Sequence, residues 1–218
     1  IKDPQHLKQV IDKTNPEIII HMAAQPLVRL SYDDPVETYA TNVLGLVNLL
    51  DIAKKCMRLK ALLNVTSDKC YQNNEWLWGY RESDRLGGHD PYSNSKACAE
   101  LVTSSFRQSF FDKLNIGLAT ARAGNVIGGG DWSQDRLIPD FIRAQQNSTG
   151  LSIRTPKAIR PWQHVIEPVF GYLRLCEKLY QEPKKYSDAW NFGPNDFGMV
   201  DVETVINEMQ SHVSESVN

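Results

Sequence analysis

The sequence predicts an α/β protein, a parallel sheet flanked by helices with a smaller mixed lobe, and three observations point to it. Apolar runs rich in branched residues occupy positions 17–21, 61–66 and 116–121. Long segments of helical period separate them, the alternation expected of parallel strands joined by crossover helices. The chain of 218 residues is 41% apolar and 23% charged, the balance of a soluble globular protein of one domain, or one domain with a small lobe.

A short helix opens the chain, with Asp3 and Pro4 as its start and Leu7, Val10 and Ile11 as its inward face. It feeds the strand at 17–21. The next helix is marked by Asp34 as cap, Pro35 at the first helical position and Glu37 three residues after the cap, as in a capping box. Val36, Tyr39, Ala40, Val43, Leu46, Val47 and Leu50 follow at spacings of three and four, which predicts one face laid on the sheet. After the strand at 61–66 comes a long loop between Cys70 and Asp90, holding Trp76, Trp78, Tyr80 and Gly87-Gly88. Loops of that length tend to be functional or disordered, and three large aromatics argue for order. A second helix starts at Asp90-Pro91 and is expected to bury Cys98, Leu101, Val102, Phe106 and Phe110. Beyond Gly128 the pattern changes to short elements at 138–146, 151–153, 168–180, 189–192 and 202–212, read as the mixed lobe.

A formal charge of −2 leaves no basic field for a polyanion, so nucleic acid is not expected as the main partner. Small anionic ligands remain open through local arginines. No window approaches the roughly 20 apolar residues of a transmembrane helix, and no charged-then-apolar leader opens the chain, so no membrane partner and a cytoplasmic location are expected. Cys56, Cys70, Cys98 and Cys176 are widely spaced without a C-x-x-C pair, and His21, His89 and His164 lack ligand spacing, so no metal is expected.

Tyr92 and Lys96 are four apart near the start of the second helix and share one face. A phenol is a poor base at neutral pH, but an adjacent cation and the positive end of a helix both favour phenolate. The same spacing arises by chance on many exposed helices. Thr66-Ser67-Asp68-Lys69 stands where the second strand ends, and ligands of open sheets bind outside the carboxyl ends of strands. Ser67 is placed to hydrogen-bond a substrate alcohol that Tyr92 deprotonates, with Asp68 and Lys69 offering an acid and a base side by side. Taken by itself, the tetrapeptide is better explained as a strand end passing into a polar turn.

Taken together these residues resemble the extended short-chain dehydrogenase/reductases that act on nucleotide sugars. His21-Met22-Ala23-Ala24, Asn42 with Leu46-Val47-Asn48-Leu49-Leu50, the Ser67 segment, Tyr92-Ser93-Asn94-Ser95-Lys96 and Asn125-Val126-Ile127-Gly128 fall in the family's order and approximate spacing, over nearly the whole chain. Longer strings are more selective: Ala24-Gln25-Pro26-Leu27-Val28-Arg29, Ser67-Asp68-Lys69-Cys70-Tyr71, Trp76-Leu77-Trp78-Gly79-Tyr80-Arg81-Glu82 and Gly128-Gly129-Gly130-Asp131-Trp132. They look like the members that dehydrate CDP-linked glucose.

The resemblance implies a Rossmann-type fold, with residues 1–127 a partial dinucleotide-binding domain carrying the catalytic residues. Residues 128–218 would be mainly a nucleotide-sugar-binding lobe with strands returning to the sheet. It implies NAD as cofactor, with Ala23 and Ala24 where the backbone approaches it and Asn42 supporting the active-site lysine by hydrogen bonding. Ser67 and Tyr92 match the pair that acts on the C4 alcohol, and Lys96 the lysine that orients the ribose and lowers the phenol's pKa. Asp68 matches the acid that protonates the departing C6 hydroxyl. Lys69 stands where relatives acting on dTDP- and GDP-sugars carry a glutamate base, and it accepts the C5 proton only if neutral. The expected product is the 4-keto-6-deoxy sugar of deoxysugar synthesis for lipopolysaccharide O antigen. Arg160 matches an arginine on the diphosphate, with Asn125 as its companion, and Arg136 and Leu137 match a segment near the nucleotide. A homodimer through the helices after Pro35 and Pro91 is also implied.

The family's sheet normally begins with a strand, a G-x-G-x-x-G turn and a helix, because those glycines let the backbone approach the pyrophosphate. No such turn precedes the strand at 17–21, so the chain is expected to lack the family's N-terminal glycine-rich segment and its C-terminal end. An epimerase is the enzymatic alternative, against which Asp68-Lys69 tells, since epimerisation needs no elimination pair. A ligand-binding or dimerising fragment without turnover is the other.

Overall fold

A computed structural model describes residues 1–195 and 198–215, the side chains of 214 and 215 excepted. They form two compact units: Ile1–Ala123 with Val169–Phe192, and Gly124–Pro168 with the described residues from Gly193 onward. In the first unit come α1 (Pro4–Thr14), β1 (Ile18–His21), α2 (Val28–Asp33), α3 (Pro35–Tyr39), a π turn at Ala40–Leu44, and α4 (Gly45–Ala53). These are followed by β2 (Ala61–Val65), a 3₁₀ turn at Asp68–Cys70, α5 (Pro91–Phe106), a second π turn at Arg107–Phe111, α6 (Asp112–Leu114) and β3 (Gly117–Ala123). The second unit begins with β4 (Asn125–Ile127), α7 (Leu137–Gln146) and β5 (Ile159–His164). The chain returns to the first unit through α8 (Ile166–Gln181), α9 (Pro183–Tyr186) and β6 (Ala189–Phe192), and ends in β7 (Met199–Asp201) and α10 (Val202–Glu215).

The first sheet runs β1-β2-β3-β6 with every pairing parallel, so the α/β class read from the sequence is the observed one. Period-two alternation divides its side chains between two cores. Leu62 and Leu118 face a cluster with Leu46, Leu50, Ala53, Ala99 and Phe111 from the helices on one side. Ala61, Leu63, Ala119 and Ala121 face Tyr172, Leu175, Cys176 and Leu179 of α8 on the other. Gly117 is required there, because a Cβ would lie 2.8 Å from Leu179. Each fully buried leucine contributes about 1.5–3 kcal/mol of apolar transfer free energy, which makes these layers the main source of stability. At the sheet edge Ile18 and Ile20 of β1 stay partly exposed beside Leu173 and Tyr180 of α8.

Asp3, Asp34 and Asp90 cap α1, α3 and α5 as the sequence indicates, each followed by proline. Glu37 does not close a capping box; its carboxylate takes Lys2 Nζ at 2.7 Å and Thr41 Oγ1 at 3.0 Å instead. The apolar stripe predicted from Val36 is also displaced. Val36 is 78% exposed, while Thr38, Asn42, Leu46, Leu49, Leu50 and Ala53 are buried, because the π turn at Ala40–Leu44 shifts the helical phase. Val10 of α1 is exposed, leaving Ile11 as that helix's buried residue.

The larger departure is α5. Leu101 is 60% exposed and Phe110 is also exposed, while the buried face is Tyr92, Ser93, Ser95, Lys96, Ala97, Ala99, Glu100 and Thr103. A largely polar face is stable inside a protein only where hydrogen bonds satisfy it, and here they do. Val102 and Phe106 keep a partial place against the core.

The second unit holds a smaller mixed sheet, β4 parallel to β5 and β5 antiparallel to β7. Residues 151–153, expected as a short element, are irregular, and the strands of this unit are β4, β5 and β7. These runs are too short and mixed to carry a period. Gly124 admits no side chain, since its Cβ would meet Pro161 at 2.4 Å. Among the described residues, no helix is long and apolar enough to cross a membrane, and no cluster of His, Cys, Asp and Glu is arranged to hold a metal.

Candidate active site

Parallel strands place all their carboxyl ends at one edge of the sheet, and the candidate residues of the first unit follow from that edge. β1 ends in buried His21, and beyond it come exposed Ala23, half-buried Ala24 and buried Gln25. Beyond β2 come Thr66 and Ser67, both buried, then half-buried Asp68 and exposed Lys69 in the 3₁₀ turn. Ser67 shapes that turn: its hydroxyl accepts from the Lys69 backbone N–H at 3.2 Å and donates to Asp68 Oδ1 at 3.1 Å. Neighbouring α5 supplies Tyr92 in its first turn, and Lys96 one turn later, both 7% exposed.

Tyr92 is fixed through its backbone. Its N–H donates to Ser31 Oγ of α2 at 3.1 Å, and its carbonyl accepts from Ser95 Oγ at 2.7 Å. Lys96 Nζ donates to the carbonyl of Val65, the last residue of β2, at 3.4 Å. Burial pushes Lys96 down to about 8, the neighbouring Glu100 acting against it. An ammonium has three donors, and the single long bond to Val65 leaves capacity for ligand hydroxyls. His21 is pushed down to about 4, chiefly by burial and then by Lys96, so it is a neutral imidazole at physiological pH.

Asn42 does not reach Lys96 directly. Its Oδ1 accepts from Gln25 N at 2.8 Å, while Nδ2 donates to Gln25 O at 3.0 Å and Ser95 Oγ at 2.9 Å. An amide side chain matches the N–H and C=O of one residue, so Asn42 clamps the turn beyond Ala23 and Ala24 and ties it to α5. Gln25 adds Nε2 bonds to Thr38 Oγ1 at 2.9 Å and Leu27 O at 3.1 Å. Asn42 thus supports the backbone beyond Ala23 and Ala24 and reaches the helix of Lys96 through Ser95.

The long loop is ordered by its aromatics. Tyr71 stacks on Tyr80, Trp76 packs on Tyr80 and stacks on Trp78, with ring centroids 5.0–5.3 Å apart. Gly88, at φ +123°, passes so close to α5 that a Cβ would meet Asn94 N at 2.4 Å. Beneath the loop lies a network that sequence reasoning missed: Glu100 of α5, Thr120 and Arg122 of β3, and Tyr71. Glu100 continues the four-residue spacing of Tyr92 and Lys96, and that continuation was the available signal.

The substrate-side candidates belong to the second unit. Asn125 opens β4 opposite Trp162, and half-buried Arg160 of β5 pairs with Val200, its Nη1 donating to Ile159 O at 2.8 Å. Arg136 is the N-cap residue of α7 and sits 4.0 Å from Asp131 in an exposed ion pair, with Leu137 beginning the helix. Such a pair contributes little to stability and leaves the guanidinium available to a ligand.

Known proteins resemble the chain along most of its length. The family model for GDP-mannose 4,6 dehydratase matches residues 1–215. The chain is 56% identical to CDP-glucose 4,6-dehydratase of Salmonella typhimurium over 96% of its own length and 60% of that protein's. It is 28% identical to dTDP-D-glucose 4,6-dehydratase of Dictyostelium discoideum over 82% of this chain, and spans 42% of that relative. Among solved structures, a dTDP-glucose 4,6-dehydratase from Streptomyces venezuelae superposes with a TM-score of 0.82 at 20% identity, over 98% of this chain and 62% of that one. UDP-glucose 4-epimerase of Thermotoga maritima gives 0.80 at 17%, over 96% and 65%. The fold is therefore the Rossmann type that these enzymes share. A match along almost the whole sequence, on a sheet whose edge carries the Ser67 and Tyr92 segments, establishes that the chain belongs to the GDP-mannose 4,6-dehydratase family.

Proposed function

We propose that this chain carries the catalytic centre of an NAD-dependent CDP-glucose 4,6-dehydratase, converting CDP-D-glucose to CDP-4-keto-6-deoxy-D-glucose. The observation that carries the reading is the adjacency of two sets of groups: Tyr92 and buried Lys96 on α5, and Ser67, Asp68 and Lys69 on the turn against which α5 packs. The first set suits oxidation of an alcohol, the second elimination of water. The 56% identity to the Salmonella enzyme supports CDP-glucose over other nucleotide sugars.

The residues fit a dinucleotide at this edge. Ala23 and Ala24 expose backbone without side-chain bulk, held from behind by Asn42, and Lys96 presents unused donors for ribose hydroxyls. A bound NAD would be held by Ala23, Ala24 and Lys96 and would supply the hydride acceptor for C4 and the donor for C6. Tyr92 is the general base that removes the C4 hydroxyl proton, its phenolate favoured by the Lys96 charge and the N-terminus of α5. Ser67 hydrogen-bonds the same hydroxyl. The resulting C4 ketone acidifies the C5 proton, which Lys69 accepts, while Asp68 protonates the departing C6 hydroxyl. Lys69 is exposed on the 3₁₀ turn and open to a bound sugar.

Residues 1–127 serve in this reading as the cofactor and catalytic domain, and 128–218 mainly as the nucleotide-sugar lobe, with Asn125, Arg136, Leu137 and Arg160 on the nucleotide and diphosphate. A homodimer is supported by uncovered apolar side chains on α3 to α5, namely Val36, Leu44 and Leu101 at 78%, 61% and 60% exposure. A cytoplasmic location and supply of 6-deoxysugars for O antigen belong to the same reading.

The test is product formation from NAD with CDP-, dTDP-, UDP- and GDP-glucose in turn. A keto-deoxy product from CDP-glucose alone is expected. Epimerised product without loss of water would replace the dehydratase by an epimerase.

A further inference from the structure

Tyr92, Lys96 and Glu100 stand at successive turns of one face of α5, and all three are buried. The Glu100 carboxylate is saturated with donors. Oε1 accepts the Thr66 hydroxyl, and Oε2 accepts Thr120 Oγ1 at 2.7 Å and Arg122 Nη2 at 2.8 Å. Arg122 is locked in turn, with Nη1 donating to Tyr71 Oη at 2.8 Å and Glu82 O at 3.0 Å, and its guanidinium 5.0 Å from the centre of the Tyr71 ring. Burial works against the charge of Arg122, but the hydrogen bond and charge of Glu100 outweigh it and raise its pKa above the ordinary arginine value.

A buried ion pair is a poor source of stability, since the cost of desolvating two ions offsets much of their attraction. Its position offers another reason for it. The groups whose charge bears on Lys96 are Glu100 from α5, Cys70 from the 3₁₀ turn and His21 from β1. Burial holds Cys70 well above the usual thiol range and His21 at about 4, so both are neutral near pH 7. That leaves the Glu100 carboxylate as the anion opposing the desolvation of the ammonium.

We propose that Glu100 is a positioning residue: one turn beyond Lys96 on the same buried face, it is the counter-charge that keeps Lys96 an ammonium while binding the strand end at Thr66. Its consequence for turnover rests on the dehydratase reading, whereas the charge of Lys96 can be measured without substrate.

The experiment titrates Lys96 in the folded protein labelled with [13Cε]lysine, its resonance assigned by its loss in Lys96→Arg. In the unaltered protein the midpoint is expected near 8. In Glu100→Gln, which keeps the shape and removes the charge, it should fall by about one pH unit or more, a tenfold change in protonation equilibrium. Glu100→Asp should stay within about half a unit of the unaltered protein, a difference of under ~0.7 kcal/mol. Where Glu100→Gln alone does not fold, Glu100→Gln with Arg122→Met is compared with Arg122→Met alone, so that the lost carboxylate charge is read on a background already lacking the guanidinium, and the same fall should appear. An unchanged midpoint in either charge-removing variant overturns the proposal. In turnover with CDP-glucose and NAD, the alkaline limb of the kcat profile should move down in step with the midpoint. If no nucleotide sugar is turned over by the unaltered protein, the dehydratase reading fails, and the titration still decides the role of Glu100.

Discussion

Two helical segments of the first unit begin with the same signal, Asp34-Pro35 at α3 and Asp90-Pro91 at α5, and they bury opposite kinds of residue. The first continues through its π turn into α4, whose inner face is Leu46, Leu49, Leu50 and Ala53. The second buries Tyr92, Lys96, Glu100 and Thr103. One is held by apolar contact, the other by hydrogen bonds and charge, and the proposed chemistry belongs to the second. Capping thus fixes where a helix starts, while what its inner face does depends on the partners that tertiary structure brings.

That contrast sets the expected outcomes of substitution. Tyr92→Phe should lower turnover of CDP-glucose by about 10²–10⁴-fold with little change in thermal midpoint, since the ring and its backbone bonds remain. Steady-state rates beside a thermal melt check this, and near-normal turnover would remove Tyr92 as base. Leu46→Ala should do the reverse: a loss of about 2–5 kcal/mol in chemical denaturation, with activity retained per folded molecule.

Acid stability separates the regions more finely. His21 is held at about 4 in the folded protein against an ordinary 6.5, so the unfolded chain binds more protons between those values. Its contribution is complete above about pH 6.5 and is lost as pH falls toward 4, amounting to at most about 3 kcal/mol. Urea midpoints across that window should decline, and His21→Gln should flatten the decline. The smallest effects belong to the shared signal itself. Asp34→Ala and Asp90→Ala should each cost about 1 kcal/mol. The latter should cost slightly more, because Asp90 accepts from both the backbone N–H and the hydroxyl of Ser93, at 2.9 and 2.6 Å, whereas Asp34 accepts from Glu37 N.

Much of this architecture was legible in the sequence. The three apolar runs became β1, β2 and β3 with ends moved by one or two residues, and each Asp-Pro start was a helix start. The inner face of α5 was misread because periodicity counts apolar side chains, and this face is polar groups satisfied by partners far away in sequence, such as Arg122. The phase of α3 to α4 was misread because a π turn leaves no apolar signature. The role of Asn42 was legible as a hydrogen-bonding role, but its partner Gln25 depends on where the turn after β1 passes. Strands β4, β5 and β7 are short and carry Asn125, Arg160 and Asp201 among their residues, so neither composition nor alternation announced them.

The proposed dehydratase oxidises C4, eliminates water and returns the same hydride to C6 at one site. The most direct measurement follows deuterium from CDP-glucose labelled at C4 through turnover with unlabelled NAD. The account predicts a 4-keto-6-deoxy product carrying one deuterium at C6. A product with only protium at C6, or one that keeps its C6 hydroxyl, would contradict it.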